Sequence, residues 1–150
     1  MTNDIAIGDK APDFTLDDQE GATVTLAAFH GKQPVLLIFY PGDDTPGCVK
    51  QLCAIRDDWN AFQERGVAVF GINNGDANSH LRFWEKYSLK TPLLIDAGMA
   101  VSRSYGATKK LFNHDMIKRS VVLIDKHGII RYVMRGLPSD PEILDAIDAL

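Results

Sequence analysis

The two cysteines of this chain, Cys48 and Cys53, are the residues best suited to chemistry. An unbroken apolar run at residues 35–39 predicts a buried strand, and Thr45 followed by Pro46 is typical of the start of a helix. Cys48 then falls in the first helical turn, where unpaired backbone N–H groups and the helix dipole favour a thiolate over a thiol. An activated thiol with a second cysteine nearby indicates redox chemistry.

The segment around the first cysteine resembles the active-site signature of the peroxiredoxins, in which proline, threonine and cysteine follow one another at fixed intervals. The longer string Phe-Tyr-Pro-x-Asp-Asp-Thr-Pro-Gly-Cys, which ends at Cys48, is similar to the bacterioferritin-comigratory or Q-type branch, as is a second cysteine five residues later. Residues 11–16 are similar to the opening strand of that family, and residues 119–125 to the late strand that brings an arginine to the site. The resemblance therefore covers most of the chain.

The resemblance implies a thiol-dependent peroxidase that reduces hydrogen peroxide and organic hydroperoxides. On this hypothesis the Cys48 thiolate attacks the O–O bond and becomes a sulfenic acid, and Cys53 condenses with it to a transient intramolecular disulfide. Thr45 would bond the peroxide oxygen, Arg119 would support the thiolate and the transition state, and Pro41 would shield the pocket. Thioredoxin or a similar dithiol would reduce the disulfide. We expect a monomer that needs neither a cofactor nor a metal.

Further polar residues lie close to Cys48 in the sequence. Gln51 matches a position where the family carries Glu or Gln, and the resemblance implies that it orients the arginine. Asp43 and Asp44 would oppose thiolate formation if they pointed at the sulfur, so we expect both to face water.

The elements that must position these residues alternate between strand and helix. The patterns predict a hairpin (14–16 and 23–26), a strand and the cysteine helix (35–40 and 46–65), a strand and a helix (67–72 and 77–88), a short strand and a short helix (93–95 and 99–105), a second hairpin (119–124 and 129–134) and a last helix capped by Ser139 with Glu142. Lys109 and Lys110 are predicted to be a solvated loop pair. This order predicts a single α/β domain over residues 1–150 with a mixed central sheet, and it resembles the thioredoxin fold with an added N-terminal β-hairpin.

The spacing of the cysteines sets a geometric requirement. In an ideal helix, residues five apart are separated by about 7.5 Å of rise and therefore by roughly 8.6 Å between Cα atoms, whereas disulfides rarely bridge more than about 7 Å. A helix that contains both cysteines must unwind over its first turn or two before the bond forms. We predict a fully folded reduced state and a locally unfolded oxidised state.

Composition argues against several other classes of protein. The net charge of −4 leaves no basic footprint for nucleic acid, and no apolar run approaches the roughly 20 residues that span a bilayer. The polar start at residues 1–4 lacks the apolar core of a signal peptide, which predicts a cytoplasmic location. In that reducing compartment a transient, catalytic disulfide is expected rather than a permanent one.

The sequence lacks the residues that a zinc site or a nucleotide-binding P-loop requires. Four scattered histidines and two cysteines do not complete a tetrahedral zinc set. Gly42 and Gly47 have the spacing that begins a P-loop, but Cys-Val follows them in place of Lys-Ser or Lys-Thr, so nucleotide binding is not expected.

Two alternatives to the two-cysteine peroxidase stay open. The chain could be a thioredoxin-like dithiol-exchange or redox-sensing protein without a fast peroxide step, although it lacks the Cys-x-x-Cys spacing and carries Pro41, Thr45 and Arg119. It could also be a one-cysteine enzyme in which Cys53 fills the core and an outside thiol resolves the sulfenic acid.

Overall fold

The computed structural model describes residues 4–150, so the polar start at Met1–Asn3 lies outside the described residues. In chain order the strands are β1 (Thr15–Asp17), β2 (Thr23–Thr25), β3 (Val35–Phe39), β4 (Ala68–Asn73), β5 (Leu93–Ile95), β6 (Thr108–Leu111), β7 (His114–Ile117), β8 (Ser120–Ile124) and β9 (Ile130–Arg135). The α-helices are α1 (Pro46–Asp57), α2 (Trp59–Glu64), α3 (Ala77–Lys86), α4 (Ala100–Ser104) and α5 (Asp140–Asp148).

A five-stranded mixed sheet in the order β5-β4-β3-β8-β9 forms the centre of the fold. β3 and β4 are parallel, as are β4 and β5, whereas β8 pairs antiparallel with both β3 and β9. β1 and β2 form the expected N-terminal hairpin as a separate two-stranded sheet. The predicted mixed sheet with an added hairpin is therefore confirmed.

The central strand β3 is buried on both faces, which explains its unbroken apolar sequence. Because side chains alternate along a strand, Leu36 and Ile38 join the core cluster that contains residues of α1, α3 and α5. Leu37 and Phe39 join a second cluster on the opposite face. β3 is thus packed on both faces along its whole length, up to the loop that leads to α1.

The long cysteine helix predicted over residues 46–65 is in fact two helices. α1 ends at Asp57, and Asp58 leaves helical geometry with φ −97° and ψ 14° before α2 begins. Its carbonyl then accepts the first hydrogen bond of α2, from Ala61. The negative charges of Asp57 and Asp58 are unfavourable at the C-terminus of α1, where the helix dipole is negative, and favourable at the N-terminus of α2, where it is positive. This is the physical reason for the break.

Three smaller predictions also need correction. Lys109 and Lys110 lie in β6, which pairs with β7 in a hairpin that the sequence did not indicate, although both side chains are exposed as expected. The short helix expected at 99–105 begins as a 3-10 turn (Ala97–Met99) and continues as α4. Ser139 caps α5 by accepting from the Glu142 backbone N–H, but the Glu142 carboxylate accepts from Tyr132 and so does not complete a capping box.

Within residues 4–150, no helix is both long enough and apolar enough to cross a membrane.

Candidate active site

Cys48 is the third residue of α1 and its side chain is fully buried. Its position follows from the fold, because β3 ends at Phe39 and the loop that follows delivers the chain to the start of α1. The first intrahelical hydrogen bond here runs from the Val49 N–H to the Thr45 carbonyl, so the N–H groups of the first turn have no acceptor within the helix. These donors and the positive end of the helix dipole favour negative charge on the Cys48 sulfur.

Arg119 reaches the cysteine from the start of the neighbouring strand β8. β8 runs antiparallel to β3 with Ser120 opposite Phe39, so the residue just before β8 lies at the edge where β3 ends. Nη2 of Arg119 donates to Sγ of Cys48 at 3.3 Å. A half-buried guanidinium at this distance stabilises an anionic sulfur and any negative charge that develops beside it.

Gln51 lies one turn after Cys48 on the same face of α1 and is also buried. Its Oε1 accepts a hydrogen bond from Nη1 of Arg119 at 2.8 Å. The two outer nitrogens of one guanidinium therefore contact two side chains of the same helix. This bridging arrangement fixes the plane of Arg119 relative to the sulfur.

Thr45 and Pro41 lie on the loop between β3 and α1. Thr45 occupies the N-cap position of α1 by its backbone, but its hydroxyl does not cap the helix; it donates instead to the carbonyl of Gly42 at 2.9 Å. The helix thus starts where Thr45 and Pro46 predicted, and the Thr45 oxygen can still accept a hydrogen bond from a substrate. Pro41 is half-buried and follows directly after Tyr40 at the end of β3.

Cys53 lies in the same helix as Cys48 and is half-buried against the core cluster beneath α1. Both cysteines are free thiols. Because α1 is helical throughout Pro46–Asp57, the two Cα atoms have the spacing of residues five apart in a helix, roughly 8.6 Å. The folded conformation thus keeps the two thiols too far apart to form a disulfide.

Comparison with known proteins agrees with this geometry. Residues 7–133 match the AhpC/TSA family. The chain belongs to that family. The putative peroxiredoxin bcp of Coxiella burnetii is 38% identical over 97% of this chain and 99% of that protein. The chloroplastic peroxiredoxin Q of Oryza sativa subsp. japonica is 43% identical over 86% of this chain, which spans only 58% of that relative.

A solved structure supports the same assignment. Peroxidoxin BcpB from Mycobacterium tuberculosis superposes with a TM-score of 0.88 at 31% identity, and the match covers 96% of this chain and 97% of that one. The predicted resemblance to peroxiredoxins of the Q or bacterioferritin-comigratory branch is confirmed, as is the thioredoxin-like α/β fold.

One expectation about the charges near the site of this peroxiredoxin is wrong. Asp44 does face water, where it pairs with Lys86 and accepts from Tyr87. Asp43 instead points inward with 7% of its side chain exposed, and it contacts His80. The negative charge of Asp43 does not act on the Cys48 thiolate directly, because the carboxylate is held by hydrogen-bond donors of its own. His80, which looked like one scattered histidine among four, is the residue that sequence reasoning missed.

Other possible binding features lie away from the cysteines. Residues 4–150 contain no group of three or more histidine, cysteine, aspartate or glutamate side chains that could hold a metal ion. A surface cavity of about 870 Å³ is lined by residues that include Pro34, Asp125 and Tyr132. Pro34 precedes β3 whereas Cys48 follows it, so this cavity lies at the opposite edge of the sheet from the sulfur.

Proposed function

We propose that this peroxiredoxin is a thiol-dependent peroxidase in which Cys48 is the attacking residue. The observation that carries the proposal is the 3.3 Å contact between Nη2 of Arg119 and Sγ of Cys48 in the first turn of α1. A cation and a helix N-terminus directed at one sulfur favour the thiolate, which is the form that attacks a peroxide. The substrates proposed are hydrogen peroxide and organic hydroperoxides.

The first step transfers one oxygen atom to sulfur. The Cys48 thiolate attacks the nearer oxygen of the peroxide, a new S–O bond forms, and the O–O bond breaks with its electron pair on the leaving oxygen. That oxygen takes a proton and departs as water or an alcohol, while Cys48 becomes a sulfenic acid. Arg119 stabilises the charge that develops on the oxygens, and the Thr45 hydroxyl orients the peroxide, in a pocket that Pro41 shields from solvent.

The second step joins the two cysteines. The Cys53 sulfur attacks the Cys48 sulfenic acid, a disulfide forms, and one water molecule leaves. Since α1 separates the thiols in the folded state, its first turns unwind before this step. Thioredoxin or a similar dithiol then supplies two electrons and two protons by thiol–disulfide exchange, which restores both thiols.

The remaining proposals concern the molecule as a whole. We propose that residues 1–150 act as one domain and as a monomer. A cytoplasmic location stays a prediction: the relative from Coxiella burnetii is bacterial, whereas the peroxiredoxin Q relatives are chloroplastic.

A single titration tests the function. One equivalent of hydrogen peroxide is added to the reduced protein, and intact mass, free thiols and the rate are measured for the wild type, Cys48→Ser and Cys53→Ser. We expect the wild type to lose two thiols and two hydrogens far faster than free cysteine reacts. Cys48→Ser should be inert, and Cys53→Ser should consume one equivalent and stop at a sulfenic acid.

The alternatives give different results in the same titration. A wild type that reacts no faster than free cysteine but reduces a protein disulfide rapidly would be a dithiol-exchange protein. Repeated turnover of Cys53→Ser with thioredoxin as the only thiol would remove Cys53 from the resolving role and leave a one-cysteine enzyme.

A further inference from the structure

The carboxylate of Asp43 is held by three side chains beneath the loop that joins β3 to α1. It accepts hydrogen bonds from the Tyr40 hydroxyl at 2.7 Å and the Ser79 hydroxyl at 2.6 Å, and Nδ1 of His80 lies 2.6 Å from it. Burial on its own raises the pKa of Asp43, but the hydrogen bonds from His80, Ser79 and Tyr40 outweigh burial and lower that pKa. Asp43 is therefore ionised at neutral pH.

His80 is fully buried and bridges this carboxylate to the sheet. Its Nε2 lies 3.0 Å from the carbonyl oxygen of Leu94 in β5. The Asp43 carboxylate and the Leu94 carbonyl both accept hydrogen bonds, so each ring nitrogen of His80 faces an acceptor. The result is a buried contact between Asp43 and His80 that connects the loop between β3 and α1 to the edge strand β5.

Asp43 lies at the centre of a loop whose two ends carry the proposed substrate contacts. Asp43 is two residues after Pro41 and two residues before Thr45. The strand end before Pro41 is fixed as well, because the side-chain amide of Asn73 donates to the Tyr40 carbonyl at 2.8 Å. Pro41 is thus held between two anchors, and Thr45 follows the second one.

The backbone of this loop also adopts a strained conformation that its surroundings must stabilise. Asp44 has a φ of 55°, in the left-handed region that non-glycine residues seldom adopt, and the Thr45 hydroxyl closes the turn onto Gly42. A strained turn persists only where its surroundings hold it in place. The Asp43–His80 pair is the buried part of those surroundings.

We propose that Asp43 and His80 form a positioning pair that sets the peroxide pocket by holding Pro41 and Thr45 in register with Cys48. Among the described residues the hydrogen bond to the Cys48 sulfur comes from Arg119, and Asp43 and His80 act through the loop. The inference rests on the proposed peroxidase function and deepens it. A misplacement of about 1 Å in a group that aligns substrate can lower a rate about 100-fold, so the loss of this pair should be visible in the reaction with peroxide.

Asp44 offers a matched control on the same loop. Its carboxylate also contacts α3, through Lys86 at 2.7 Å, but the side chains of Asp44 and Lys86 are 41% and 57% exposed. Exposed ion pairs contribute little, and asparagine tolerates the left-handed conformation well. Asp44→Asn therefore makes the same chemical change as Asp43→Asn at a solvated site.

The test compares two reactions of the same sulfur. In a Cys53→Ser background, stopped-flow kinetics give the rate constant for hydrogen peroxide, and mass spectrometry gives the rate of alkylation by iodoacetamide, which needs no alignment of an O–O bond. We expect Asp43→Asn and His80→Asn to slow the peroxide reaction about 10- to 100-fold and to change alkylation less than about threefold. Asp44→Asn should leave both rates near the parent values.

Two further variants keep the test decisive if a single substitution perturbs folding. Ser79→Ala removes one donor to Asp43 and leaves the contact with His80, so it should fold and show a smaller loss that is again confined to peroxide. The double variant Asp43→Asn/His80→Asn should be no slower with peroxide than the slower single variant, because the two residues act as one unit.

Several results would overturn the positioning role. It fails if the variants react with peroxide at the parent rate, if peroxide and alkylation rates fall together, or if Asp44→Asn loses as much as Asp43→Asn. The function is judged separately: a parent that reacts with peroxide no faster than free cysteine refutes the peroxidase, whereas the variant-to-parent ratio decides the role of the pair.

Discussion

Gly47 and Arg119 are so close that any side chain at position 47 would press on the guanidinium. A β-carbon on Gly47 would lie 2.9 Å from Nη2 of Arg119 and 3.6 Å from its Cζ. Nη2 is the nitrogen that bonds the Cys48 sulfur. The glycine therefore leaves the space in which the arginine can approach the first turn of α1.

This proximity predicts that Gly47→Ala slows the reaction with peroxide about tenfold or more, since removing a well-placed charge donor costs about 100- to 1000-fold and displacing it should cost part of that. Alanine favours the helix over glycine, so the melting temperature should stay the same or rise. Stopped-flow kinetics and thermal denaturation check both parts. Arg119→Lys provides the control. In that background, adding Gly47→Ala should lower the peroxide rate little further. An unchanged peroxide rate in Gly47→Ala would show that the arginine tolerates the displacement.

Gln51→Leu separates positioning of Arg119 from stability. The change removes the Oε1 acceptor that Nη1 of Arg119 uses, so the arginine loses one of its two contacts with α1 and the peroxide rate should fall, though less than in Arg119→Lys. The Gln51 Nε2 is buried with no hydrogen-bond partner among the described residues, and an apolar side chain relieves that cost. Stability should therefore hold or increase.

The control for this substitution is Gln63→Leu, which makes the same change on the exposed surface of α2 and should leave the peroxide rate unaltered. A loss of stability in Gln51→Leu together with a normal rate would contradict both halves of the prediction.

The separation of the two thiols along α1 predicts redox-dependent unfolding. Amide hydrogens of residues 49–58 should exchange slowly in the reduced protein and much faster after one equivalent of peroxide, because the disulfide cannot form within an intact helix. Hydrogen exchange with mass spectrometry measures this directly. Amides of α5 serve as the internal reference, and Cys53→Ser, which cannot close the disulfide, should keep α1 protected after oxidation. Equal protection of α1 in both redox states would refute the unwinding.

The strands buried on both faces were predicted from the sequence, whereas the exposed β6–β7 hairpin was missed. β3 and β8 were evident because continuous apolar runs occur where both faces of a strand are covered. The β6–β7 hairpin has an exposed, polar strand, and its turn uses Phe112 and Asn113 at φ 51° and 63° in place of a glycine. Asn113 was the one turn signal, and without a neighbouring glycine or an apolar run in β6 it did not predict the hairpin.

The active site shows the same division. The placement of Cys48 followed from the strand, the N-cap and the proline, whereas the role of Arg119, 71 residues away, came only from the resemblance to a family. The link between Asp43 and His80 had a signal that was not used. β3 and β4 are parallel neighbours, so the segments that follow them meet at one edge of the sheet, and Asp43 and His80 lie on those two segments.

A carboxyl pair beneath the end of α1 makes stability depend on pH. Asp140 is buried at the start of α5 and one of its oxygens has no hydrogen-bond partner among the described residues. Burial, followed by the neighbouring carboxyls of Asp58 and Asp57, raises the pKa of Asp140 to about 7. The unfolded chain binds this proton only below its ordinary value of about 3.9.

The sign of the effect follows from linkage. Between pH 4 and 7 the folded state holds a proton that the unfolded state has released, so the free energy of unfolding falls as pH rises through this window and levels off above it. Asp140→Asn keeps the shape of the side chain and removes its titration. The variant should therefore be more stable than the wild type at pH 8, and the difference should shrink or reverse at pH 5.

Urea denaturation at pH 5, 6, 7 and 8 measures the slope. Asp145→Asn, an exposed substitution on the same helix, is the control and should follow the wild-type profile. Asp58 lies at the junction of α1 and α2. If the pH dependence of the free energy of unfolding disappears in Asp140→Asn, the packing of α5 against α1 is therefore also pH-dependent. A profile in Asp140→Asn that parallels the wild type would mean that the proton resides elsewhere.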